Sequence, residues 1–423
     1  MITDFLSKFF LARSTRWKSK EQICEWQQSS FVRLKKMTLT KSEFYFDYCD
    51  KDFSEFPVID KSIHVANFNT INTRNLDWKV ATDIALRSEK SRDFENYYRG
   101  FSVGLSTGTS GNKGIFVLSK RERIQWAGYV LGKMLPLDFR VHRIALILRS
   151  NSPLYESIGF SFFLRFQFFD PINGIATIIP DLESFKPTIL IAPSSILDLL
   201  SQLKIKIYPV KIISVAEVLN EDQESRIENY FEVKVEQIYQ CTEGFLAASC
   251  RFGNLHINED LVIVEKQWID KDRKRYSPII TDLNRTVQPV VRYLLDDVLI
   301  HDSKKCPCGS PMSRIGSIEG RCDDILRLYN GAAYKNIFPD FIRIAIICHC
   351  SEIVDYRVEQ VQSNHLIIYL SPLNRVTKNG VLVGLAELWS ELSVIPPKVR
   401  FRPLEPIEWM AKKRRVLRRW SED

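Results

Sequence analysis

The sequence predicts an α/β protein: a large N-terminal domain of mixed, largely parallel sheets and helices with a β-rich subdomain, then a small α+β C-terminal domain. Three observations carry this. Between residues 100 and 245 the short, nearly continuous apolar runs RIALIL (143–148), TILIAP (188–193) and VKIISVAE (210–217) alternate with helix-like segments, as strands buried on both faces of a parallel sheet do. From 254 to 302 the pattern turns more β-like. Beyond about residue 325 the order changes to IVDYRVEQV, HLIIYL, a helix near GLAELWSEL, and KVRFRPL, which suits a separate α+β domain.

Residues 1–95 read as helical and irregular, with Ile23, Trp26, Phe31 and Leu34 at approximate helical spacing, a packing surface. Two helices have readable starts. Ser119 with Glu122 spells a capping box ahead of Ile124, Ala127, Leu131 and Leu135, and Asn220 with Gln223 spells another before Ile227 and Phe231. At 423 residues, two or three domains are expected, each with its own core. Apolar content of 45% and the absence of repeats exclude a disordered or solenoid chain.

The formal charge of +8, from 59 basic and 51 acidic residues, favours anionic ligands such as phosphates without demanding a nucleic acid. Much of it sits in Lys412, Lys413, Arg414, Arg415, Arg418 and Arg419, a run of the kind that is usually a solvated helix face or a weak contact with acidic lipid. No stretch reaches the roughly 18–20 apolar residues of a membrane span, and the amphipathic start lacks the pattern of a secretory signal. The reading is cytoplasmic, and the nine Cys, an odd number, point to reduced thiols or a metal rather than disulfides.

Residues 105–114 read LSTGTSGNKG, and a strand-like run follows. Glycines let a backbone approach a phosphate chain and adopt positive φ, while Ser and Thr add hydroxyl donors. By composition this is either a phosphate loop or an ordinary turn. It is not the loop G-x-x-x-x-G-K-[ST], because Asn112 separates Gly111 from Lys113 and no helix follows.

Five segments in order change the weighting. STGTSGNKG resembles the phosphate loop of the adenylate-forming superfamily of acyl-CoA synthetases and related ligases. VAEV (215–218) stands where the phenylacetate-CoA ligase branch has Gly-Ala-Glu-Pro. YQCTEG (239–244) resembles Tyr-Gly-x-Thr-Glu, RYLLDD (292–297) resembles Arg-Tyr-Arg-Thr-Gly-Asp, and GRCDDIL (320–326) resembles Gly-Arg-x-Asp-Asp-x-Leu. The pattern also resembles proteins related to capsular polysaccharide biosynthesis. Leu294, Leu295 and Asp296 depart from the family's Arg-Thr-Gly before Asp297.

The resemblance implies roles. Ser106, Thr107, Gly108, Thr109, Ser110, Gly111 and Lys113 would hold the ATP phosphates. Thr242 would contact the α-phosphate and Glu243 would help hold Mg²⁺. Tyr239 and the segment containing Glu217 would border the adenine, and Asp297 would bind the ribose hydroxyls with Arg321 nearby. Asp323 falls on the family's hinge, giving an AMP-binding domain at 1–322 and a lid domain at 323–423. Setting Arg415 and Val416 on the family's Arg-Val makes Lys412 the catalytic lysine, with Lys413 its rival. Cys306-Pro-Cys308-Gly resembles a C-x-C-G that binds zinc in some relatives, with Cys250 and His256 completing a Cys3His set. CHC at 348–350 is read as core or surface, since three adjacent residues converge poorly on one ion.

The function implied is ATP-dependent adenylation of a carboxylic acid, with Mg²⁺ and a structural zinc, then transfer to coenzyme A. Two rivals stay open: a different acyl or AMP acceptor, and a non-catalytic nucleotide-binding protein. The aromatic segment 155–170 reads either as an aryl-acid pocket or as core.

Overall fold

The apolar runs form the strands His142–Ile147, Ile189–Ala192 and Lys211–Ser214. They lie in a computed structural model that describes all residues except 1, 15–16, 95, 106–113, 137, 139, 149–150, 152, 157–163, 322–323, 348, 351, 406–414 and 421–423. Leu164–Phe169 and Ile189–Ala192 flank His142–Ile147 in parallel, Lys211–Ser214 follows Ile189–Ala192, and Val235–Cys241 follows Lys211–Ser214, also in parallel. Helices Ile175–Phe185, Ser194–Gln202 and Glu221–Phe231 bury Ile178, Leu182, Leu197, Leu200 and Ile227 against Ala145, Ile147, Leu190, Ile212 and Val235. Each buried Leu or Ile contributes about 1.5–3 kcal/mol relative to leaving it in water, so this core fixes where the strand ends fall. In the 155–170 segment, Phe168 packs on Phe94 and Phe169 on Phe185, with ring centroids 5.9 and 5.7 Å apart, and residues 157–163 lie outside the description.

The sheet changes character at one turn. Val235–Cys241 runs into Gly244–Ser249, which returns antiparallel to it, and Leu255–Ile257 pairs antiparallel with Gly244–Ser249. Val262–Trp268 and Arg275–Asp282 form a further antiparallel pair, the β-rich part expected from 254 onward. Separately, Tyr97–Tyr98, Phe101–Leu105 and Ile115–Leu118 make a three-stranded antiparallel sheet in which Leu105 pairs with Ile115, so residues 106–114 join two paired positions.

Both helix starts occur. Ser119 and Glu122 form the full capping box of Lys120–Met134. Asn220 accepts from the Gln223 N–H at 3.0 Å, but the Gln223 side chain takes the Asn220 amide at 2.8 Å instead of its backbone, so this second box is half made. In Lys20–Met37, Ile23, Phe31 and Leu34 are buried, and the Trp26 indole donates to the Asp260 carbonyl at 3.0 Å.

The chain divides into two compact units, Met1–Leu295 with His301–Ser317, and Asp296–Ile300 with Ile318–Asp423. The second has a four-stranded sheet in the order Lys398–Pro403, His365–Ser371, Asp355–Gln362, Val416–Arg418, in which only the central pair is antiparallel. Helices Pro339–Ile347 and Arg375–Glu391 enclose a core with Ile342, Ile346, Val358, Ile368, Leu385 and Trp389. His349 pairs with Glu387 at 2.9 Å and Cys350 is buried, so these two behave as packing groups. Among the described residues no helix is long and apolar enough to cross a membrane.

Candidate functional site

Thr242 and Glu243 are the two residues between paired Cys241 and Gly244, at the carboxyl end of the last parallel strand. Ligands in α/β sheets gather outside such strand ends. The Thr242 hydroxyl donates to Glu243 Oε2 at 2.7 Å, fixing the carboxylate. Tyr239 is buried in the same strand opposite Ala247. Glu217 follows the neighbouring strand Lys211–Ser214 and accepts from the Ser195 N–H at 3.1 Å, at the start of helix Ser194–Gln202, where a carboxylate satisfies an otherwise orphaned donor.

A small cavity opens on this turn. It is lined by Thr242 and Glu243 together with Gly114 and Ile115, the residues that follow 106–113 in sequence. Thus two segments singled out from sequence meet in one place. The other walls come from residues whose role the sequence did not reveal: Lys61 and His64 from helix Lys61–Ala66, and Arg285 and Gln288 from the segment after Asp282. The segment 1–95 is therefore more than packing surface. A lone Gln in the apolar run TVQPVV was a readable sign of a buried amide; Lys61, His64 and Arg285 carried no sign.

Hydrogen bonds determine the protonation of His64. Gln288 is buried and its Oε1 accepts from the Val117 N–H at 2.7 Å, so its amide nitrogen faces the Ile115 carbonyl at 3.0 Å and His64 Nε2 at 3.4 Å. An amide N–H opposite Nε2 makes that nitrogen the acceptor and puts the proton on Nδ1. His64 is thus a neutral imidazole, and burial, helped by the Arg285 charge against the opposing pull of Glu243, lowers its pKa to about 4.

The segment bearing Arg285 and Gln288 is fastened by Glu122. Beyond capping its own helix, Glu122 Oε1 accepts from the backbone N–H groups of Thr286 and Val287 at 2.6 and 3.1 Å. Asp282 accepts from the N–H groups of Asn284 and Arg285 at 2.7 and 3.0 Å; it is buried, and desolvation raises its pKa. Two carboxylates therefore hold one loop by its main chain.

The other named residues fall elsewhere. Ser106 to Lys113, Asp323, Lys412 and Lys413 lie outside the described residues, as does the Arg321 side chain. Asp297 opens the strand Asp297–Asp302 and belongs to the second unit.

The four residues expected as a metal set do converge. Cys250, His256, Cys306 and Cys308 place their ligand atoms within 4.8 Å of one another. Cys250 and Cys306 sulfurs are 3.7 Å apart, far beyond a disulfide, and Cys308 Sγ lies 3.5 Å from His256 Nε2. Tetrahedral zinc, with bonds of about 2.3 Å to sulfur and about 2.0–2.1 Å to nitrogen, sets ligand separations of roughly 3.7 and 3.5 Å. The donor set therefore fits that ion. His256 Nδ1 donates to the Met312 carbonyl at 2.9 Å, which leaves Nε2 as the ligand atom.

Each Cys-bearing turn ends in a glycine at positive φ, Gly253 at +80° and Gly309 at +79°, with N–H bonds back to the Cys250 and Cys306 carbonyls. Burial pushes the Cys306 thiol up, but N–H and side-chain donors, the Cys308 N–H foremost, outweigh it and bring its pKa down to about 6. Cys308 moves up through burial and the neighbouring sulfurs.

No family model matches the sequence, and no curated protein matches it. Solved structures do. A 2-hydroxyisobutyryl-CoA ligase in the postadenylation state with 2-HIB-AMP is similar over 95% of this chain and 91% of its own, at 16% identity and a TM-score of 0.63. ATP-bound MatB from Rhodopseudomonas palustris is similar over 75% of this chain and 67% of its own, at 14% identity and 0.53. The amide bond synthetase McbA from Marinactinospora thermotolerans is similar over 75% and 68%, at 12% and 0.53. The chain has the fold these ligases share.

Proposed function

We propose that this chain is an adenylate-forming ligase. The observation that carries the reading is a cavity lined both by Gly114 and Ile115, which follow the Ser/Thr/Gly stretch, and by Thr242 and Glu243. A substrate carboxylate oxygen attacks the α-phosphorus of ATP; as that P–O bond forms, the bond to the β-phosphate oxygen breaks and pyrophosphate leaves with the electron pair. A thiol, of coenzyme A in the first instance, then attacks the acyl carbon and AMP departs.

Residues 106–113 would cradle the departing phosphates with backbone N–H groups and hydroxyls, with Lys113 supplying charge. Thr242 would contact the α-phosphate, its hydroxyl exchanging Glu243 Oε2 for a phosphate oxygen. Among the described residues Glu243 Oε1 has no hydrogen-bond partner, as suits a carboxylate that would hold Mg²⁺. Mg²⁺ would neutralise charge on the phosphate oxygens as the carboxylate approaches. Tyr239 and the Glu217 segment would border the adenine, Asp297 with Arg321 would bind the ribose hydroxyls, and Lys412 would meet charge growing at the α-phosphorus. The boundary at 322/323 would be the hinge, with Asp323 as pivot.

The Cys250, His256, Cys306 and Cys308 set would hold a structural zinc, since four protein ligands leave no open position for chemistry. The low similarity to a CoA ligase and to an amide bond synthetase leaves the acceptor as the finer question.

ATP–pyrophosphate exchange over a panel of acids tests the proposal. Acid-dependent exchange supports it, and loss of exchange in Lys412→Ala with ATP binding kept supports the lysine. Exchange without any CoA thioester moves the acceptor to another nucleophile. ATP binding with no exchange for any acid overturns the enzyme reading in favour of a nucleotide-binding protein.

A further inference from the structure

Arg285 is more than nine-tenths buried, yet no ion pair satisfies it among the described residues. Its Nη2 donates to the Thr242 carbonyl, which holds the guanidinium beneath the turn that carries Glu243. Its Nη1 is buried with no hydrogen-bond partner among the described residues, and the side chain lines the cavity with Glu243 and Gly114. The nearest acidic group in sequence, Asp282, accepts from the N–H groups of Asn284 and Arg285 through Oδ1 and attracts the guanidinium through space, without forming an ion pair with it among the described residues. The adjoining loop 106–113 contains no Asp or Glu. A buried guanidinium with an idle donor is costly unless something anionic completes it.

We propose that Arg285 contacts the phosphate chain of the nucleotide, Nη1 donating to a non-bridging oxygen while Nη2 keeps its grip on Thr242. This rests on the adenylating reading and adds a residue to it. Arginine suits the task because its planar fork holds two acceptors at once, a carbonyl and a phosphate oxygen, in fixed relation. The same contact ties the position of the Thr242–Glu243 turn to the presence of phosphate. Neutral His64 is part of this arrangement, since a second cation there would oppose the guanidinium.

The test is equilibrium binding of ATP and of adenosine to the full chain, in the parent and in Arg285→Met and Arg285→Lys, each checked by thermal melting. Loss of a charge-assisted hydrogen bond to phosphate weakens binding about 10- to 100-fold. Arg285→Met should weaken ATP by that factor and leave adenosine within about twofold, with Arg285→Lys between parent and Met for ATP. Equal ATP affinity in all three overturns the proposal while leaving the adenylating reading intact; so does a parallel loss of ATP and adenosine, which marks Arg285 as a prop for the turn. A parent that binds no ATP overturns both. Should Arg285→Met fail to fold, the parent solved with α,β-methylene-ATP decides: Nη1 within about 3.2 Å of a phosphate oxygen upholds the contact, and a longer separation overturns it.

Discussion

In the Cys–His cluster, four side chains bring the whole of the chemistry, three sulfurs and one imidazole nitrogen within 4.8 Å of each other. Around Thr242 and Glu243, much of the work is done by main chain. Glu122 and Asp282 hold the 284–287 loop through its N–H groups, Arg285 grips a carbonyl, and Gln288 bridges the amide of Val117 and the carbonyl of Ile115. The difference teaches where each site is vulnerable. A ligand set fails as a unit when one donor goes, whereas a cavity fixed by backbone contacts keeps its shape and loses only what the altered side chain itself supplied.

The sharpest way to break this contrast is Glu243→Gln. The substitution keeps the acceptor for Thr242 and removes the charge, so the turn should stay and catalysis should not. Acid-dependent pyrophosphate exchange is expected to fall about 10²- to 10³-fold, the usual cost of removing one transition-state charge contact, with the melting temperature within about 2 °C of the parent. Exchange within threefold of the parent would show that the carboxylate is not in the site.

Cys308→Ser examines the other half. Zinc content should drop from one per chain to none, and melting should fall by at least about 5 °C, taking a loss of roughly 2–3 kcal/mol and about 2–4 °C per kcal/mol for a sizeable domain. A chelator acting on the parent should give the same melting curve. A parent that binds no zinc, or that melts alike with and without it, would reduce the cluster to free thiols packed together.

These two sites were also unequally legible in the sequence. Cys250, His256, Cys306 and Cys308 were legible as a set through the resemblance of Cys306-Pro-Cys308-Gly to a zinc-binding C-x-C-G, and because thiols and imidazoles are scarce their convergence is easily checked. The parallel strands were legible because runs such as ILIA, short, Ile-rich and apolar throughout, alternate with helix-like segments, as strands covered on both faces do. Thr242 and Glu243 were found through their resemblance to a motif. Lys61, His64 and Arg285 were missed because a single Lys, His or Arg is ordinary on any surface, and only tertiary placement brings them to one cavity. Glu122 was half read: its helix cap is local, but its reach to Thr286 spans 164 residues.

His64 offers the smallest effect and the most specific one. Its folded pKa of about 4 lies below the ordinary 6.5 because burial disfavours the cation. Above pH 6.5 the imidazole is neutral in both folded and unfolded chains and pH does not matter to it. Between 6.5 and about 4 the unfolded chain takes up a proton that the folded one refuses, so stability falls as pH falls. At pH 5 the loss is about 2 kcal/mol, with 1.36 kcal/mol per pK unit. His64→Gln keeps an oxygen to accept from the Gln288 amide and cannot be protonated. Urea unfolding of parent and variant at pH 7.5 and pH 5 should therefore show the parent losing about 2 kcal/mol more than the variant on acidification, the many other carboxylates cancelling in the difference. Equal losses would mean that His64 is charged in the folded protein, and a cation beside Arg285 would require the cavity to hold more negative charge than Glu243 alone provides.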